Sequence, residues 1–276
     1  EKLMSVFTLS ESYRPFKYPR LVEAVKKHII DLHWHEKQID LQDDLVQYHT
    51  AGGLATPTKS HKENKKFFEE TVCLFTELDK TVAEGYASLI PHFKNNEVRS
   101  WLLTAASRET THQRSYALAA ETFGFPESSW VKYKDYVEMQ DKIDVMKGEE
   151  EDLTVPLNAT KKLVRVLLGE GIGLFGAFSG LLNFRRFGLI MGFNDVNEWS
   201  LRDENEHVSE NMYIVSLARR DLTEVENIEL DRFIHDMVAK YVEAEHSFID
   251  LATDGKGLED LTTEDHKAYI TYLGDF

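Results

Sequence analysis

The chain has 276 residues, enough for one large domain or two ordinary ones, and its 42% hydrophobic and 29% charged residues exclude disorder on a large scale. A net charge of −16 argues against a nucleic-acid partner and raises the question of whether some carboxylates never face water. The one cysteine, Cys73, excludes an internal disulfide and fits a reducing compartment; a lone thiol reads as a small buried hydrophobe rather than a nucleophile.

No secretory segment opens the sequence, which starts at Glu1 rather than Met, so its N-terminus reads as trimmed or unobserved. The most apolar stretch, Ile172 to Phe184, is shorter than the ~20 residues of a spanning helix. It is also broken by Gly173, Gly176 and Gly180. A cytoplasmic location is expected.

Helical periodicity dominates, and no run alternates β-branched with polar residues. A first helix is predicted over Leu21 to Leu32, and Thr50 to Lys59, with two glycines and a proline, reads as a loop. A long helix spans Lys62 to Ile90 and stops at Pro91. The next runs from Glu97 to Phe123, closed by Gly124 with Pro126 beyond. Glu127 to Met146 reads as another. After the acidic loop Gly148 to Asp152 and Pro156, helix resumes from Leu157 to Met191, with Gly171, Gly173, Gly176 and Gly180 interrupting its geometry. Gly192 and Asn194 mark a turn. Helices then follow over Val196 to Arg219, Glu224 to Ala252 and Thr263 onward. Several of these far exceed the usual mean of roughly 11–12 residues. The expected architecture is an all-α bundle of long helices forming one domain over residues 1–276.

Glu109-Thr-Thr-His112 and Glu204-Asn-Glu-His207 each set a carboxylate and an imidazole one turn apart on one helix face. Each pair can offer an oxygen and a nitrogen to a metal ion. Taken singly such a pair is weak evidence: 29 Glu and 11 His predict about one by chance, and a third exists at Glu243/His246. Context separates them. Asp79 stands in the middle of a long helix, in Phe75-Thr-Glu-Leu-Asp79, and Glu170 lies within Leu167-Leu-Gly-Glu170-Gly-Ile-Gly-Leu174. A carboxylate in so apolar a setting is costly unless it is paired or bound to metal. Four helices thus supply Asp79, Glu109/His112, Glu170 and Glu204/His207, the pattern of dimetal-carboxylate bundles. Four carboxylates balance two divalent ions, and oxygen donors with two imidazoles suit iron or manganese.

The segments Phe75-Thr-Glu-Leu-Asp79, Arg108-Glu-Thr-Thr-His112-Gln-Arg-Ser-Tyr116 and Trp199-Ser-Leu-Arg-Asp-Glu204-Asn-Glu-His207 resemble the small subunit of class I ribonucleotide reductase, a ferritin-like family. The resemblance covers nearly the whole chain. It implies metal ligands at Asp79, Glu109, His112, Glu170, Glu204 and His207, holding two metals per chain, iron by default or manganese. It further implies a tyrosyl radical at Tyr116, generated with O2, and a relay from His112 through Asp203 to the Trp34 indole. Leu174 and Phe178, one and two turns after Glu170, are expected to line the radical pocket. Implied partners are a large subunit that reduces ribonucleotides and a second copy of the chain in a homodimer. The family carries a relay tyrosine and a docking tail at its C-terminus; the given sequence ends at Phe276 inside a helical pattern, so that tail is expected either to have been cut away or to lie in a longer chain. Two other readings remain: a related dimetal oxidase or monooxygenase, which would not need Tyr116, Trp34 and Asp203 together, and a non-enzymatic ferritin-like metal-binding bundle. Glu243/His246 falls outside the ligand order and reads as surface.

Overall fold

The computed structural model describes residues 4–10 and 17–275. Among these, eleven α-helices account for nearly all regular structure, and β pairing is confined to one isolated bridge between Leu258 and Leu261. They are α1 (Pro19–Ile30), α2 (Gln42–His49), α3 (His61–Leu89), α4 (Asn96–Phe123), α5 (Glu127–Lys134), α6 (Val137–Lys147), α7 (Pro156–Leu168), α8 (Phe175–Arg185), α9 (Met191–Ala218), α10 (Glu224–Thr253) and α11 (Thr263–Asp275).

Local chemistry explains the long ones. Ser60 and Glu63 close a reciprocal capping box on α3, and Thr223 with Glu226 does the same on α10. Asn95 Oδ1 accepts the Val98 N–H at the start of α4, and Gly124, at φ +71°, ends that helix in the left-handed region. Along α3 the buried stripe runs Phe67, Phe68, Val72, Phe75, Leu78, Val82, Tyr86 and Leu89, at helical spacing. Asp79 lies within that stripe, less than 2% exposed. Full burial of each apolar side chain contributes roughly 1.5–3 kcal/mol, which offsets the cost of holding carboxylates in the same layer. Helix α3 packs along α4 and α7 along α9, so the four segments bearing the predicted ligands surround one core.

Three boundaries differ from the sequence expectation. Glu127 to Met146 is two helices, because Tyr136 is extended (ψ 128°) and caps α6. The break lets the largely exposed α5 turn away while Met139, Lys142 and Met146 of α6 reach the core. The helix expected over Leu157 to Met191 is broken twice, by a π-turn at Gly169–Gly173 and by a reversal at Gly188 (φ +67°) and Ile190 (φ +44°). Gly192 and Asn194, expected in a turn, lie inside α9. Gly192 serves close approach: a Cβ there would stand 1.8 Å from the Asp40 carbonyl oxygen. Asp44 of α2, a helix not expected from the sequence, accepts the Gly192 and Phe193 N–H groups at 3.0 and 2.7 Å and so caps α9 from outside.

The run Pro156–Arg185 is apolar and long enough to span a membrane by composition (mean hydropathy 1.4), yet 78% of its most apolar window is buried within the protein. Cys73 is buried, and burial pushes its thiol far above the usual range, as a small core hydrophobe requires. Lys142 of α6 and Glu245 of α10 form a fully buried ion pair, and Glu245 Oε2 also accepts the Gly176 N–H at 2.7 Å at the start of α8.

Candidate metal centre

Helix α3 contributes Asp79, α4 contributes Glu109 and His112, the π-turn contributes Glu170, and α9 contributes Glu204 and His207. These six side chains meet in the core, each at most 1% exposed. They form two clusters, Asp79/Glu109/His112/Glu204 and Glu109/Glu170/Glu204/His207, within each of which the donor atoms lie within 4.8 Å of one another. Both imidazoles turn Nδ1 inward. His112 Nδ1 is 3.4 Å from Glu109 Oε2 and 3.2 Å from Glu204 Oε1. His207 Nδ1 is 3.2 Å from Glu109 Oε1, 3.0 Å from Glu204 Oε2 and 2.9 Å from Glu170 Oε1. Glu109 and Glu204 therefore each give one oxygen to either cluster.

Electrostatics and unmet hydrogen bonding agree on what the cluster lacks. Burial and the adjacent Glu109 hold Asp79 well above the usual carboxylate range, and burial pushes Glu170 up to about 8. Glu109, against the effect of burial, is held down at about 2 by His112. Burial works against the charged forms of His112 and His207, but Glu109 and Glu170 raise both imidazoles well above their ordinary value. Protons thus gather where four carboxylates need positive charge. Both oxygens of Asp79 and of Glu109, with His112 Nδ1 and Glu204 Oε1, are buried without a hydrogen-bond partner. Buried acceptors of this kind are ordinarily satisfied, and the donor set fits two divalent cations bound by oxygen and imidazole.

The side of each imidazole facing away from the cluster is also engaged. His112 Nε2 lies 3.0 Å from Asp203 Oδ2, which also accepts the Trp34 indole N–H at 2.7 Å. Arg108 closes on the same oxygen at 3.4 Å, and its terminal nitrogens bond the Trp34 and His28 carbonyls. His207 Nε2 lies 3.1 Å from His28 Nε2. Burial lowers the His28 pKa to about 3, so His28 is neutral and able to accept a proton from His207 Nε2 when Nδ1 of His207 faces a metal.

Tyr116 is fully buried and donates its hydroxyl to Ser200 Oγ at 2.9 Å. Its ring stacks on Phe75 at 4.9 Å and meets Phe193 at 6.1 Å. Phe178, expected beside it, packs on Phe75 at 5.0 Å, one ring further out, and Leu174 is buried at the end of the π-turn. Glu243 is exposed and His246 bonds the Lys267 carbonyl, so that third pair takes no part in the cluster.

The sequence model of the family described as "Ribonucleotide reductase, small chain" matches residues 10–276. The chain belongs to that family. Among its relatives, probable ribonucleoside-diphosphate reductase small subunits of invertebrate iridescent viruses 3 and 6 are 28% and 26% identical over 95% and 99% of the chain, covering 72% and 83% of those proteins. The fold matches the ribonucleotide reductase R2 subunit of Clostridium botulinum, with a TM-score of 0.82 at 18% identity over 98% of this chain and 85% of that one. It also matches the dimanganese(II)-NrdF of Streptococcus sanguinis, with a TM-score of 0.78 at 18% identity over 97% and 89%. As a small chain of ribonucleotide reductase, the protein has the ferritin-like all-α fold expected from its sequence.

The sequence does not single out His28, Tyr86, Trp101, Ser200 or Asn211, although four of them share helical spacing with ligands, Ser200 preceding Glu204 by four residues. Tyr86 follows Asp79 by seven residues, Asn211 follows His207 by four, and Trp101 precedes Glu109 by eight.

Proposed function

We propose that this ribonucleotide reductase small subunit holds two metal ions, iron or manganese, through Asp79, Glu109, His112, Glu170, Glu204 and His207, and keeps a tyrosyl radical on Tyr116. The observation that carries the reading is the division of Glu109 and Glu204 between the two clusters, one oxygen to each imidazole side. That division suits two adjacent cations bridged by carboxylates. Such ions, when bound, supply the one-electron oxidising chemistry that O2 makes available.

The remaining work belongs to the chain's own side chains. Phe75 and Phe193 wall off Tyr116 and exclude water and external reductants from its ring. The Tyr116 hydroxyl proton is held toward Ser200 Oγ, and burial with the nearby Asp79 keeps the phenol protonated at rest. Asp203 Oδ2 takes hydrogen bonds from both His112 and Trp34, which fixes the His112 tautomer and joins the cluster to the indole. In this reading Trp34 is the exit toward a large subunit, where ribonucleotides are reduced. Homodimerisation and a cytoplasmic location complete the proposal, and burial of the apolar Pro156–Arg185 run within the protein supports the latter.

The test is aerobic reconstitution with Fe(II), and separately with Mn(II), followed by electron paramagnetic resonance. A tyrosyl radical signal in the wild type that is absent in Tyr116→Phe supports the assignment, and a silent wild type under both metals refutes it.

A further inference from the structure

A second buried tyrosine touches the cluster, and neither the ligand order nor the Trp34 relay accounts for it. Tyr86 stands two turns beyond Asp79 on α3, fully buried, with its hydroxyl 2.8 Å from Glu170 Oε2 and 3.0 Å from Glu170 Oε1. Asn211 Nδ2 lies 2.6 Å from the same phenol oxygen, and the Trp101 indole N–H donates to Asn211 Oδ1 at 3.0 Å. The amide of Asn211 can only donate through its nitrogen and the indole can only donate. The order is therefore one-way: Trp101 to Asn211, Asn211 to Tyr86, Tyr86 to Glu170.

Glu170 is the donor that needs such support. Asp79, Glu109 and Glu204 project from regular α-helices, whereas Glu170 lies in the π-turn, where Gly169, Gly171 and Gly173 flank it and carry no side chains to hold the backbone in place. A π-turn places one extra residue in the helical path and often occurs at functional sites. The direction of its carboxylate then depends on hydrogen bonds made by its oxygens, and His207 and Tyr86 are the groups that make the closest of them.

We propose that Tyr86 is a positioning residue that aims Glu170 into the Glu109/Glu170/Glu204/His207 cluster, so that one of the two metal positions depends on it and the other does not. The proposal rests on the dimetal reading above. It predicts an asymmetry, since the Asp79/Glu109/His112/Glu204 cluster is braced through Asp203 rather than by this second chain of hydrogen bonds.

The experiment is an anaerobic titration of the metal-free, full-length chain with Mn(II), following the six-line resonance of the free ion to obtain stepwise affinities. Wild type is expected to take two ions. Tyr86→Phe, which removes one oxygen and keeps the ring, is expected to weaken one step by about 10–100-fold and leave the other unchanged, the size typical of a lost outer partner. Asn211→Ala is expected to weaken the same step by less, because Tyr86 keeps its own proton for Glu170. If Tyr86→Phe matches wild type in both steps, or if both steps weaken together with a lowered melting temperature, the positioning role is overturned. A wild type that takes fewer than two ions overturns the dimetal reading and this proposal with it.

Discussion

Trp34 and His112 stack nearly parallel, ring centres 5.6 Å apart and planes 17° from parallel, while both direct an N–H at one oxygen, Asp203 Oδ2. The carboxylate thus serves the indole and the imidazole at once, and Arg108 offsets part of its charge.

Asp203→Asn keeps the size of that group and removes its charge. Metal affinity is expected to fall by about 10–100-fold, because His112 then faces a neutral amide instead of the carboxylate that raises its basicity. Equilibrium dialysis against Mn(II) measures this, and an unchanged affinity would show that Asp203 does not support His112. Trp34→Phe, in contrast, is expected to leave metal content and the radical signal in place while abolishing turnover with the large subunit.

The ligand set makes a two-sided prediction. Glu170→Ala is expected to lower metal content below two ions per chain by elemental analysis. Glu243→Ala, on an exposed face, is expected to leave it unchanged. Loss of metal in the second variant would mean the wrong Glu-x-x-His pair had been assigned.

His266 predicts a pH dependence far from the ligands. Its Nε2 lies 2.9 Å from the Gly176 carbonyl oxygen, and burial lowers its pKa from the ordinary 6.5 to about 4. The unfolded chain binds this proton more readily than the folded one, so the contribution to stability is complete above pH 6.5 and is lost as pH falls from there toward 4. The loss amounts to roughly 3 kcal/mol at about 1.4 kcal/mol per tenfold. Urea unfolding at several pH values should show a shallower acid decline in His266→Asn than in wild type; parallel curves would remove His266 as the cause.

The buried Lys142–Glu245 pair predicts a non-additive pair of variants. Lys142→Met removes the amine that faces the buried Glu245 carboxyl and is expected to cost about 3–5 kcal/mol. Lys142→Met with Glu245→Gln is expected to recover part of that, since the amide keeps an acceptor for the Gly176 N–H. Denaturant midpoints of the single and double variants test it, and strict additivity would show that the two groups are not coupled.

The sequence alone determined the all-helical class and, through the resemblance, the six candidate ligands, because both are written in short-range spacing: hydrophobic stripes at helical period, and Glu-x-x-His pairs one turn apart. It also separated Glu243/His246 from the other two pairs by ligand order, and the exposed position of Glu243 agrees. What the tertiary structure decided is everything that joins distant segments. The Tyr86–Glu170 bond spans 84 residues, Trp101–Asn211 spans 110 and His28–His207 spans 179. No local pattern encodes such contacts, since each depends on which faces of two packed helices oppose one another. The π-turn was equally hidden. Its glycines looked like flaws in a helix, and only the packing of Gly169 against Met146, where a Cβ would come within 2.5 Å, gives a reason why that glycine is there.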